Sequence, residues 1–89
     1  MSDDPARAIR DYLARRRDAL NAEVNGYPTP IARCDVQLTA LLEARAEVLG
    51  LLRADDDALV SAFAAVAERY DDAEARRLLS VARATRARA

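Results

Sequence analysis

Residues 29–53 limit what this chain can fold into more than any other stretch. Ile31, Cys34, Leu38, Leu41, Arg45, Val48 and Leu52 step by 3, 4, 3, 4, 3 and 4. That spacing lines side chains along one seam of an α-helix. Leu42 and Leu49 widen the stripe, so the helix is expected to have neighbours on more than one side. Thr29 suits an N-cap and Pro30 the first helical position. At ~1.5 Å per residue such a helix spans roughly 36 Å. One seam position, Arg45, is charged. A guanidinium in an apolar stripe is unfavourable unless it is paired or its stem carries the head to water. Arg45 is therefore the residue whose position most asks for an explanation.

The rest of the chain reads as helix around this element. A first helix is expected over 3–24, starting at Asp3 or Asp4 with Pro5 in its first turn. Ile9, Tyr12, Leu13, Leu20 and Val24 line one face of it. Asn25-Gly26 offers a left-handed stop, and residues 26–30 form the loop, with Tyr27 folding onto the bundle end. A third helix, 55–70, starts at Asp55-Asp56-Asp57 and carries Leu59, Phe63, Val66 and Tyr70, with Ala62 and Ala67 beside them. A fourth, 71–86, is capped by Asp71 with Glu74 at the third position. It carries Ala75, Leu78, Leu79 and Ala82, then decays into an Arg/Ala tail expected to fray. The fold class is all-α: a single domain, 1–89, built as a small bundle of three to four helices on a long antiparallel hairpin.

Composition removes many chemistries. The 89 residues include no His, and all 14 basic residues are Arg. There is therefore no imidazole base or His metal ligand, and no Schiff-base lysine. The single Cys cannot form an intrachain disulfide. A reducing cytoplasm is the expected compartment. The acidic N-terminus is unlike a signal peptide, and no apolar run approaches the ~18 residues of a membrane span. Cys34 is read as a small hydrophobe in the seam.

Charge is unevenly spread. Acids dominate residues 54–75, and five arginines without an acid follow in 76–89. Acids at helix starts and arginines at a helix end complement the helix dipole, which is the preferred explanation. The Arg15-Arg16-Arg17 run spreads round the helix and is read as solvated flank. Asp55–Asp57 and Asp71, Asp72 and Glu74 are read as caps, with no metal or other cofactor, since neither cluster has a Gly-bearing ligand loop. Nucleic-acid binding by a helix-turn-helix is not expected, because the second helix would present Asp71, Asp72 and Glu74 to phosphates.

Ile31, then Cys34-Asp35-Val36-Gln37-Leu38, Leu41-Leu42 and Arg45-Ala46-Glu47-Val48 resemble the first helix of the all-helical chorismate mutases. The resemblance covers about 18 of the 89 residues. It implies an all-α dimeric site in which Arg45 holds a substrate carboxylate. The sequence departs from the family pattern elsewhere: Pro28 and Asp56 stand where a basic residue is expected, and another helix precedes the matching one.

Two readings follow. In the first, the chain is a non-catalytic interaction module, a homodimer or a protein-docking subunit. It would act through Leu38, Leu41, Leu42, Arg45 and Leu49. In the second, Arg45 binds an anion or serves a chorismate-mutase-like enzyme, intact or degenerate.

Overall fold

The computed structural model describes residues 4–26 and 35–88. Among them run four α-helices and one 3₁₀ turn: α1 Pro5–Asn25, α2 Asp35–Arg53, α3 Asp56–Val66, the turn Ala67–Arg69, and α4 Ala73–Arg88. The expected roles of Tyr27, Thr29, Pro30, Ile31 and Cys34 lie outside the described residues.

α1 starts as its sequence dictates. Asp4 is extended, its Oδ1 accepts from the Ala6 N–H at 3.1 Å, and Pro5 opens the helix. The stop differs from expectation. Gly26 is right-handed (φ −87°, ψ 0°), and no described glycine has positive φ. Its N–H closes the last turn onto the Ala22 and Val24 carbonyls. Those bonds leave no call for a left-handed residue there.

The third expected helix is broken. α3, capped by Asp55 through the Ala58 N–H at 2.9 Å, ends at Val66 and tightens into the 3₁₀ turn. Tyr70 is then extended, with its ring buried. The tighter turn lets the chain reverse while the ring stays in the core. Asp72, not Asp71, caps α4: its Oδ1 accepts from the Ala75 N–H at 2.7 Å. Glu74, expected to complete a capping box, pairs with Arg15 instead. α4 remains helical to Arg88, past the expected end at 86.

Ile9, Leu13, Val48, Leu59, Phe63 and Leu78 are the largest fully buried side chains. Tyr12 meets Phe63 edge-on (6.1 Å between centroids, 74°), and Tyr70 closes the triangle at 6.2 Å from Phe63. Such ring geometry adds to burial. α3 and α4 both pack on α1, and α3 also meets α2. No close backbone approach links α2 to α4 among the described residues. This arrangement leaves much of α2 without a second neighbour.

Candidate interaction surface

α2 carries two apolar faces. Val48 and Leu51 are buried, and Leu41, Ala44 and Leu52 pack against the same core. At 100° per residue, Leu38, Leu42, Arg45 and Leu49 form a second line roughly 100° further round the helix. None of the three leucines belongs to the core cluster. Leu42 is 38% exposed, while Leu38 and Leu49 are half-buried. Their steps of 4, 3 and 4 are the heptad pattern of a helix seeking another helix.

The five residues assigned to one interface stripe therefore divide. Leu41 turns inward. It also lines an open groove of about 730 Å³, with Leu20 and Ala44 beside it and Arg16 and Glu23 among its polar lining. The other four stay on the outer face. The sequence-read seam passes between the two faces, which is why it ran through Arg45.

Arg45 is half-buried, and no charged residue is buried among those described. Its Nη1 donates to Asn21 Oδ1 of α1 at 3.4 Å. It makes no ion pair among the described residues. Of the two carboxylates within two residues of it on α2, Glu43 is exposed and without an ion pair among the described residues. Glu47 is committed elsewhere. It accepts from the Tyr70 hydroxyl and from Arg69 Nη2, each at 2.7 Å.

Arg16 corrects the reading of the arginine run as solvated flank. Its guanidinium lies 4.4 Å from the Tyr70 ring centroid, and its Nη1 is 3.9 Å from Asp72 Oδ2. A cation over an aromatic face is attracted by the ring quadrupole. The signal was present in the sequence: Arg16 lies four residues from both Tyr12 and Leu20, on the buried side of α1. Arg15 pairs with Glu74 and Arg17 with Asp18.

Arg16 Nε is buried without a hydrogen-bond partner among the described residues, but the phenols and carboxylates beside the core are matched. The Tyr12 hydroxyl donates to Asp72 Oδ2 at 2.7 Å. Burial, reinforced by that carboxylate, pushes the Tyr12 phenol up to about 12. Burial and Glu47 push the Tyr70 phenol up as well. Both phenols therefore hold their protons at neutral pH. Burial alone would raise Asp72. Hydrogen bonds from Tyr12 and the Ala75 N–H, with the charges of Arg16 and Arg76, outweigh it and hold the carboxyl below its ordinary value. The Arg15 hydrogen bond likewise lowers Glu74.

Most acids of the two clusters have a structural partner. Asp55 caps α3, Asp56 meets Arg10, and Asp71 meets Arg76. No three of His, Cys, Asp and Glu gather for a metal among the described residues. No helix of the described residues is long and apolar enough to cross a membrane. No family model, curated protein or solved structure matches the chain.

Proposed function

We propose that this protein is a non-catalytic helical interaction module of the cytoplasm, which docks another helix on the outer face of α2. One observation carries the reading. Leu38, Leu42 and Leu49 repeat at heptad spacing yet stand outside the core, while the same helix buries Val48 and Leu51 on its other face. Burying an apolar stripe of this kind against a partner helix is favourable, and a charge within it, here Arg45, sets register and partner choice.

A photo-crosslinking side chain at position 42 tests this, with Ser80 on the exposed side of α4 as control. A discrete protein adduct from position 42, lost when Leu49→Glu is added, is the expected result. Equal adducts from both positions, or none from 42, would contradict the reading.

The rival is an anion site or mutase-like centre at Arg45. It draws on the lack of an ion pair to Arg45 among the described residues, which leaves the guanidinium fork open to a carboxylate. A thermal upshift with dicarboxylates, or acceleration of chorismate rearrangement, abolished by Arg45→Leu would favour the rival.

A further inference from the structure

We propose that the groove between the C-terminal half of α1 and the N-terminal half of α2 binds a medium-chain aliphatic carboxylate. Its carboxylate sits on Arg16 and its chain lies over Leu20 and Leu41. The site is independent of the docking reading above. Ala40 and Ala44, which line the groove, stand roughly 160° round α2 from Leu42.

The groove exists because the bundle is unequal. α3 and α4 are tied to the first part of α1: Arg10 reaches Asp56, Tyr12 reaches Asp72 and Arg15 reaches Glu74. Further along α1, Asn21 bonds only across to Arg45 of α2 among the described residues. The groove opens in that stretch, and its volume of about 730 Å³ lies within the range of small-molecule sites. Its apolar walls are aliphatic, Leu20 from α1 with Ala40, Leu41 and Ala44 from α2. They offer a saturated chain a surface to bury and offer a ring no aromatic face to stack on.

Arg16 lines the bundle end of this groove. Tyr70 and Asp72 approach its guanidinium but line no part of the groove. Neither contact satisfies the head. Its Nη1 lies 3.9 Å from Asp72 Oδ2, beyond hydrogen-bond distance, and its Nε is buried without a partner among the described residues. A buried N–H left unanswered is costly, and what such a group lacks is an acceptor. A carboxylate presents two oxygens to the planar fork in charge-assisted bonds. By contrast, Arg10 and Arg15 on the same helix already hold carboxylates.

Glu23 gives the site a direction. It lines the same groove, roughly 10 Å along α1 from Arg16. It is exposed and makes no ion pair among the described residues. Its charge repels a second anion, so a monocarboxylate fits where a dicarboxylate of the same length does not. Gln37 is the remaining polar side chain of the lining.

Proton–nitrogen NMR titration with octanoate, octanamide and octanedioate tests the site, reading backbone amides and the Nε–H of Arg16. Octanoate shifts that Nε–H and the amides of Ala22, Ala40 and Ala44, and binds about tenfold more tightly than either analogue. Arg16→Gln weakens octanoate about tenfold. Arg17→Gln, the same change of charge one residue on, binds as the wild type does. Ala40→Phe fills the groove, leaves Arg16 in place and abolishes binding. Circular dichroism checks that each variant stays helical. Octanoate shifts that are absent or lie away from the groove would overturn the proposal. So would equal affinity for either analogue, or an Arg16→Gln variant that binds as the wild type does. Groove amides that move with protein concentration alone would give the groove to a second copy and overturn it as well. None of these outcomes bears on the crosslink from position 42.

Discussion

Arg10 is the residue on which the junction between α1 and the end of α2 depends. Its Nη1 donates to the Leu52 carbonyl at 3.0 Å and its Nη2 to the Ala54 carbonyl at 2.6 Å. Its Nε reaches Asp56 Oδ1 at 3.2 Å. The last carbonyls of a helix lack intrahelical donors, and a cation there also meets the negative end of the dipole. Arg10→Met keeps the stem and removes the head. The Arg10 side chain is 31% exposed, so water can replace part of what is lost and the low end of each range applies. The two carbonyl bonds contribute about 0.5–1 kcal/mol each, and the dipole about 0.3–1 kcal/mol. The Asp56 pair, with that carboxylate 67% exposed, adds under ~0.5 kcal/mol.

The expected loss is about 1.5–3 kcal/mol, against a total near 4–13 kcal/mol for a chain of this length. Urea denaturation followed by circular dichroism at low protein concentration measures it. Adding Asp56→Ala closes a double-mutant cycle. Most of the Arg10 loss should persist in the Asp56→Ala background, because the carbonyls carry it. A loss below ~0.5 kcal/mol, or one abolished entirely by Asp56→Ala, would refute the reasoning.

Phe63→Ala, at a fully buried position between Tyr12 and Tyr70, should cost about 3–5 kcal/mol in the same assay. Gly50→Ala should raise stability by about 0.5–1 kcal/mol, since a Cβ there meets nothing within 4 Å, and a melting curve checks it. Asp72 and Glu74 have folded pKa values held below the ordinary carboxylate range. Their contribution is therefore complete above the unfolded values and is lost as pH falls through the depressed folded ones. Urea midpoints should decline below about pH 4.5, and Asp72→Asn should flatten the decline. In the alkaline range, phenolate absorbance should show Tyr12 ionising only near 12. Stability present below pH 10 should fall as pH rises towards that value.

Element type was legible because the apolar spacing is helical throughout and few residues favour strands. Caps followed local chemistry where a second signal fixed the start, as at Asp4 directly before Pro5 and at Asp55, the first of its run. At Asp71-Asp72 the capping-box spacing to Glu74 pointed to Asp71, whereas Asp72 caps the helix. The choice depends on Tyr70 turning into the core and on Tyr12 bonding Asp72, contacts far apart in the chain. The rotation of α2 was the harder matter. Its leucines span about half the circumference, so several seams fit, and the one through Arg45 was as regular as the true inner face. Val48 and Leu51 ended up buried because α1 and α3 meet α2 on that side, which no local pattern encodes. Arg10 and Arg16 were passed over because a charged side chain on a helix flank declares itself only through its distant partners.

The most direct test of the outer face of α2 as a docking surface is the photo-crosslink from position 42, read for the otherwise wild-type chain and for the Leu49→Glu variant side by side. The account predicts a discrete protein adduct that Leu49→Glu, equally helical, abolishes. No adduct from position 42, or one that survives Leu49→Glu, would contradict the account.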